Sequence, residues 1–195
     1  HQKAQQAISL HHPTGASVTY NTPLGPLHIK SGEILGIAGI EGNGQEALVE
    51  FFIQLRINKN SPVQVALVPP DRHKQGGIKS FSLADNLLLH PTFFRNNSIL
   101  KKLNQKFMAA ENVELIKRFD VQPQDLAYKW GALSGGNQQK LILAREFFHL
   151  KKNTLLFLAH PTRGVDIGAM SFIHQQILAA SHRGHPIILL STELE

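Results

Sequence analysis

Three consecutive small residues, Ser134, Gly135 and Gly136, open a stretch in which apolar residues recur with helical spacing up to Phe148. A helix beginning here would present a hydroxyl and bare backbone N–H groups at its positive end. Such a terminus binds an anion, and phosphate is the usual one. A Ser-Gly-Gly triplet is also a common way to turn into a helix, so these residues alone leave both interpretations open.

A second glycine-rich segment covers residues 39–46 and lies between an apolar run and another helical pattern. Strand, glycine loop and helix form the context of a phosphate-cradling P-loop. The glycine spacing is kept, but Gln45 stands where the phosphate-binding lysine belongs and Glu46 where a magnesium-binding Ser or Thr belongs. An amide lacks the lysine's charge, and a carboxylate repels phosphate. The candidate nucleotide-binding residues are Gly39, Gly42, Asn43, Gly44, Gln45 and Glu46, with a plain helix-starting turn as the alternative.

The elements that must position these residues follow an α/β rhythm. Four short apolar runs, at residues 34–38, 63–68, 154–158 and 187–190, are typical of buried strands in a parallel sheet. Helical patterns at 45–55 and 171–180 separate them, the second with Phe172, Ile173, Ile177 and Leu178 on one face. We expect an α/β fold with a mainly parallel sheet, an N-terminal antiparallel β part over residues 1–32 and a helical insertion over 83–132.

Composition narrows the class of protein. The 195 residues, 42% of them hydrophobic, are enough for one domain with an insertion. The sequence has no apolar run long enough to span a membrane, no apolar targeting segment at its start, and no cysteine. The 11 histidines are scattered, so we expect no metal site. The net charge is +6, but the basic residues are dispersed, which favours a solvated surface over a nucleic-acid interface. The missing initial methionine suggests a truncated fragment of a longer protein.

Residues 133–140 resemble the signature motif of ABC-type ATPases, and further motifs follow in the order expected of that family. The resemblance covers the chain from about residue 27 and is strongest to the second, C-terminal nucleotide-binding domain of fused ATPase subunits from bacterial sugar or nucleoside importers. It rests on residues 42–45, on Asp71 and Arg72 with Gly76, on 133–140 and on 161–166. It implies a P-loop NTPase core, with the whole of 1–195 forming one ABC nucleotide-binding domain.

Measured against the family pattern, the catalytic side chains are missing. Ala159 and His160 stand where the Walker B region has its Asp-Glu pair, and Pro70 replaces the Q-loop Gln or Glu. Thr192 falls where the switch histidine would lie. His160 is the one candidate general base at this point, although a histidine at a strand end is more often structural. Asp166 matches the D-loop, which in the family crosses the interface between paired domains.

The resemblance therefore implies a divided role. The signature residues Ser134, Gly135 and Gly136 would act in trans on ATP, with Mg²⁺, held by a paired domain of the same full-length chain, while this domain alone would be weakly active or inactive. The partners would be transmembrane permease subunits and the location the cytoplasmic face of the cell membrane. A regulatory or scaffold domain without catalytic contribution is the alternative, and a ribosome- or DNA-associated ABC protein, suggested by the basic charge, is less favoured. Tyr20 is expected in the core or the hairpin rather than stacked on adenine.

Overall fold

A computed structural model of the chain describes residues 6–9, 17–38, 44–58, 60–91 and 105–191, with the backbone alone for 6–9 and 105–109. The chain divides into two compact units. The first, the sheet unit, is drawn from residues 1–70, 150–161 and 174–195. The second, the helical unit, is drawn from residues 71–149 and 162–173.

The described part of the sheet unit contains two sheets. Its strands are β1 (Gln6–Ser9), β2 (Ser17–Thr22), β3 (Gly25–Lys30), β4 (Ile34–Ala38), β5 (Val65–Val68), β6 (Leu155–Ala159) and β7 (Ile187–Ser191). The larger sheet has the order β1-β4-β7-β6-β5, in which β1 alone runs antiparallel to its neighbour. Strands β5 and β6 are buried at every position, as expected of parallel strands covered on both faces.

Parallel pairing aligns the carboxyl ends of the central strands. Ala38 of β4 pairs with Ser191 of β7, and Ala159 of β6 pairs with Leu190. The segments that leave these strands therefore start at one edge of the sheet, which is the edge where open α/β sheets bind ligands.

Aromatic side chains tie the hairpin and the first helix to this sheet. The strands β2 and β3 form the small antiparallel sheet, and helix α1 (Gln45–Ile57) follows β4. The ring of Phe52 stacks on Phe157 with the centroids 4.4 Å apart, and Tyr20 meets Phe52 edge-on at 6.1 Å. Burial raises the pKa of the Tyr20 hydroxyl. The core position expected for Tyr20 is confirmed.

The helical unit contains α2 (Leu83–Leu87), α3 (Gln105–Arg118), α4 (Gly135–Phe148) and the first residues of α5 (Ile167–His182). A capping box starts α2, in which the Ser82 hydroxyl accepts the Asp85 N–H and the Asp85 carboxylate accepts the Ser82 N–H. The buried Asn86 amide accepts the N–H of Ile78 at 2.8 Å and donates to the carbonyls of Ile78 and Ser82. These bonds fold the segment before α2 onto the helix.

The fold class predicted from the sequence is confirmed, with small shifts at the ends of elements. Strand β5 begins two residues later than the apolar run, and α5 begins before and ends after the predicted span of 171–180. One side-chain prediction is wrong: Leu178, expected on the buried face with Ile173 and Ile177, is 50% exposed. At 100° per residue, Leu178 is turned away from Ile177, and the helix needs only a narrow buried stripe here.

Candidate functional site

The signature segment forms the start of helix α4, as the sequence predicted. Ser134 is the residue before the helix, and its backbone is extended with φ −62° and ψ 157°. Its Oγ accepts the backbone N–H of Asn137 at 3.3 Å, which makes it an N-cap. Ser134 is exposed and Gly135 is half-buried. The hydroxyl and the first N–H groups of α4 therefore lie at the positive end of the helix dipole, with the serine exposed.

Packing within the helical unit requires glycine at both positions of this turn. A Cβ on Gly135 would lie 2.6 Å from Nη2 of Arg72 and 2.9 Å from the carbonyl oxygen of Gly164. A Cβ on Gly136 would lie 2.9 Å from Cβ of Ala169 and from Oδ2 of Asp166. All four distances are shorter than ordinary contacts, so the absence of side chains at the two glycines lets the segment 164–169 pack against the signature turn.

Arg72 is a residue of this site that the sequence analysis singled out only as part of the resemblance. Its guanidinium donates to the carbonyl oxygens of Arg163 at 2.6 Å and Gly164 at 3.2 Å. The same group lies against Gly135, as the short hypothetical Cβ distance shows. Arg72 follows Asp71, whose carboxylate accepts the N–H groups of His73 and Lys74 and so caps a short π-helical turn at Arg72–Gly76. A positive charge is thereby fixed beside the anion-binding end of α4.

Asp166 also lies at the signature turn, and it caps helix α5. Its Oδ1 accepts the N–H of Ala169 at 2.8 Å, and its Oδ2 would lie 2.9 Å from a Cβ on Gly136. The side chain is exposed, so it is accessible to a partner. The structure thus brings Asp166 against Gly136 of the signature turn, while its role in contacting a paired domain stays a prediction.

The side chains of Asn137 and Lys140 join the signature helix to the segment after α3. The Asn137 Oδ1 accepts the backbone N–H of Gln122 at 2.9 Å. One turn along, Nζ of Lys140 donates to Oδ2 of Asp120 at 2.7 Å and to its carbonyl oxygen at 3.1 Å. The hydrogen bond from Lys140, and a second from Gln122, hold the pKa of the Asp120 carboxyl below its usual value.

The predicted glycine loop is described only at its end. Gly39, Gly42 and Asn43 lie outside the described residues. Gly44 has φ +89°, a left-handed conformation that favours glycine, and a Cβ there would meet Cδ2 of Leu24 at 2.8 Å. Helix α1 begins at Gln45, which is buried, whereas Glu46 in the first turn is exposed. The helix start agrees with the predicted loop-to-helix context.

Two further predicted positions of the sheet unit, Ala159 and His160, lie at the carboxyl end of strand β6. Ala159, the last residue of β6, is fully buried, and the next residue, His160, has φ +48° and donates its N–H to the carbonyl of Leu190 at 2.8 Å. The backbone at His160 is thus fixed by the sheet, and its use as a general base stays a prediction. Pro70 is half-buried, and Thr192 lies outside the described residues.

Neither a membrane-spanning helix nor a metal-binding cluster is found in the described part of the chain. In the described ranges, no helix combines the length and apolar character needed to cross a bilayer. The same ranges hold no group of three or more His, Asp or Glu side chains arranged to bind a metal ion.

Comparison with protein families and curated proteins gives consistent matches. Residues 26–163 match the family described as ABC transporter. The guanosine import ATP-binding protein NupO of Bacillus subtilis (strain 168) is 36% identical over 187 aligned residues, which cover 87% of this chain and 36% of that protein. The ribose import ATP-binding protein RbsA of Lactococcus lactis subsp. cremoris (strain SK11) is 33% identical over 186, covering 85% and 37%. The chain spans about a third of the length of these relatives.

Solved structures share the fold. The dimeric structure of MJ0796, a bacterial ABC transporter cassette, aligns with a TM-score of 0.61 at 16% identity, covering 92% of this chain and 87% of that one. An ATP-binding subunit of an ABC transporter aligns with a TM-score of 0.64 at 17% identity, covering 87% and 72%. At these identities the likeness carries the fold alone, and it confirms the predicted P-loop NTPase fold.

Proposed function

This chain belongs to the ABC transporter ATPase family, and we propose that it is one of two paired ATP-binding domains that drive an importer of the sugar or nucleoside class. In this proposal the second domain belongs to the same full-length chain and holds ATP with Mg²⁺ in its own P-loop. The signature turn of this domain completes that site. Transmembrane permease subunits are the further partners, which places the assembly at the cytoplasmic face of the cell membrane.

One observation carries the proposal: Ser134, Gly135 and Gly136 stand at the start of α4 in the signature pattern, while Gln45, Glu46 and Ala159 stand where the family resemblance leads us to expect catalytic side chains. Ser134 is exposed at the start of α4, next to two glycines that packing requires. Arg72 adds a fixed positive charge beside Gly135. The nearby Asp166 carboxylate is engaged by the N–H of Ala169, which offsets its repulsion of an anion.

The chemistry of this half-site is electrostatic. ATP bound by the partner would supply the γ-phosphate, whose oxygens bear the charge that spreads in the transition state. The Ser134 hydroxyl and the N–H groups of Gly135 and Gly136 donate to those oxygens, and closure of the turn excludes water other than the attacking one. Removing one preorganised donor of this kind typically costs about 3 to 4 kcal/mol of transition-state stabilisation, or two to three decades in rate.

The positions that would bind nucleotide on this domain do not fit a working site. Gln45 is neutral and buried at the start of α1, and Glu46 places a carboxylate in the same turn. Ala159 offers no ligand atom to Mg²⁺. We therefore expect little or no hydrolysis at this domain's own glycine loop, because each of these losses can disable turnover by itself.

The names of the relatives support a role in import, and their length supports the presence of a second domain in the full-length chain. Those named above are import ATP-binding proteins for guanosine and ribose, and this chain accounts for 36% and 37% of them. A polypeptide of that length has room for a second ATP-binding domain. In this proposal other subunits select the transported compound, because the candidate site of this chain is directed at phosphate and not at a sugar or a base.

A mutational comparison tests the proposal. In the full-length protein reconstituted with its permease, we expect Ser134→Arg to lower ATP turnover by at least about 100-fold, since the guanidinium fills the phosphate approach. Gln45→Ala is expected to leave turnover within about twofold, because the neutral Gln45 amide supplies no positive charge to a phosphate. Ser80→Arg is the matched control, as Ser80 is another exposed serine of the helical unit. Equal tolerance of Ser134→Arg and Ser80→Arg would refute the assignment.

The replaced residues Gln45, Ala159 and His160 favour one second candidate, a regulatory or scaffold domain that holds its partner in place without contributing to catalysis. That function predicts full turnover in Ser134→Arg and loss of turnover only when the domain is removed. The same assay therefore separates the two functions.

A further inference from the structure

Two donors from one residue occupy the hydroxyl oxygen of Ser134. The backbone N–H of Asn137 lies 3.3 Å from Ser134 Oγ, and the side-chain Nδ2 of Asn137 lies 3.1 Å from it. A serine hydroxyl has two lone pairs and one hydrogen. Both lone pairs of Ser134 therefore receive hydrogen bonds from Asn137.

The orientation of the Asn137 amide is fixed by a third group. The backbone N–H of Gln122 is 2.9 Å from Oδ1 of Asn137, and a backbone N–H is a donor only. A flipped amide would point its NH₂ group at that N–H and lose the bond. The oxygen of the amide must therefore face Gln122, and its NH₂ group must face Ser134.

The segment that carries Gln122 is itself held to α4. Lys140, one turn beyond Asn137, donates to both the side chain and the carbonyl of Asp120. The Lys140 side chain is largely buried, whereas the Asp120 carboxylate that it binds is exposed to water. The N–H of Gln122 is thus kept in position by a contact only two residues away.

We infer that Asn137 is a positioning residue that turns the Ser134 hydroxyl into a dedicated donor. With both lone pairs occupied, the one remaining capacity of this exposed hydroxyl is to donate its hydrogen. A hydroxyl that only donates discriminates in favour of a ligand that only accepts, and a fully ionised phosphate oxygen is such a ligand. Water and alcohol groups lose the bond that they would otherwise donate.

This inference rests on the proposed function, because the acceptor is the γ-phosphate held by the paired domain. Asn137 itself makes no contact with that phosphate. It acts through Ser134, and its removal should leave Ser134 free to rotate and to accept a hydrogen bond from water.

A double-mutant cycle on ATP turnover of the full-length reconstituted protein tests the inference. The variants are Ser134→Ala, Asn137→Ala and the double variant. We expect each single change to lower kcat by about tenfold or more with the KM for ATP unchanged, because the main ATP contacts belong to the partner domain. The double variant should fall no more than about threefold below Ser134→Ala, since Asn137 has no function once the hydroxyl is gone.

Asn137→Asp provides a second, nearly isosteric variant. The carboxylate still accepts the N–H of Gln122, but it now accepts the Ser134 hydrogen as well, so the hydroxyl no longer points at phosphate. Turnover should fall at least as far as in Asn137→Ala, and the thermal unfolding midpoint should change less than in Asn137→Ala because the Gln122 bond is kept.

The outcomes separate this inference from the proposed function. Losses that multiply in the double variant would overturn the inference, as would full turnover in Asn137→Asp, provided that Ser134→Ala lowers kcat. If Ser134→Ala and Ser134→Arg both retain full turnover, the proposed function fails and this inference fails with it.

Discussion

The guanidinium of Arg72 is bound to the backbone of Gly164, with Nη2 donating to the carbonyl oxygen at 3.2 Å. Its Nη1 donates to the preceding carbonyl, that of Arg163, at 2.6 Å. Gly164 has φ +65°, a conformation that glycine adopts without strain. Because the same guanidinium lies against Gly135, one side chain sets the distance between the signature turn and the segment that precedes Asp166.

Replacing Arg72 with lysine should loosen this contact while keeping the charge. An ammonium group cannot bridge two adjacent carbonyls as a planar guanidinium does. We expect Arg72→Lys to lower the free energy of unfolding by about 1.5 to 3 kcal/mol, the range for hydrogen bonds to charged groups. The melting temperature should fall by several degrees. Arg118→Lys, at an exposed site at the end of α3, is the control. Thermal unfolding followed by circular dichroism measures both, and equal midpoints would contradict the role of Arg72.

The glycines of the signature turn should tolerate a methyl group poorly. In Gly135→Ala the new Cβ meets the carbonyl oxygen of Gly164 at 2.9 Å, and a backbone atom cannot move aside as the end of a side chain can. We expect the free energy of unfolding to fall by about 1 to 3 kcal/mol, the usual effect of overpacking. Gly168→Ala is the matched comparison, because its nearest atom, Oδ1 of Asp166, is 3.3 Å away. Urea unfolding should show little change for Gly168→Ala, and a similar loss in both variants would argue against this packing.

Much of the fold could be predicted because it follows from local patterns. Runs of Ile, Leu and Val that are buried on both faces, such as β6 and β7, carry their own signal whatever they pair with. The start of α4 was likewise predictable, since a serine cap and two glycines mark it in the sequence. Leu178 was misassigned because helical spacing alone does not state how wide the buried stripe of a helix is.

The rest of the candidate site depends on contacts between distant parts of the chain. Arg72 binds carbonyls that are 91 and 92 residues away, and a backbone carbonyl leaves no trace in residue types. Asn137 accepts the backbone N–H of Gln122, which is 15 residues away. A backbone N–H is likewise not recognisable from residue types. The sequence could indicate that Ser134 faces an anion, but only the packing of the helical unit indicates which residues hold it there.

The ion pair between Lys140 and Asp120 should contribute to the free energy of unfolding at neutral pH and lose that contribution at acidic pH. The pKa of Asp120 lies below its usual value of 3.8, mainly because Lys140 donates to the carboxylate. A depressed carboxyl pKa contributes stability above the unfolded value, and that contribution is lost as pH falls through the folded value. We therefore expect the melting temperature of the parent chain to fall more steeply below about pH 4 than that of Asp120→Asn. Parallel curves would contradict the pairing. Asp125→Asn, an exposed carboxylate in the same unit, is the control.

His185 should produce a second pH dependence, nearer neutrality. Burial, with a smaller contribution from Arg183, lowers the pKa of the imidazole from 6.5, although the hydrogen bond to the Thr154 carbonyl opposes this. A carbonyl only accepts, so Nδ1, 3.3 Å away, carries the hydrogen of the neutral ring. Below about pH 6.5 the unfolded chain binds a proton at this histidine that the folded chain does not yet bind. The free energy of unfolding therefore decreases as the pH is lowered toward the folded pKa and no longer changes below it. We expect His185→Gln, compared with the exposed His174→Gln, to flatten the decrease in the urea midpoint between about pH 7.5 and pH 5.5. If His185→Gln keeps the slope seen in the parent and in His174→Gln, the charge state of His185 does not change on folding.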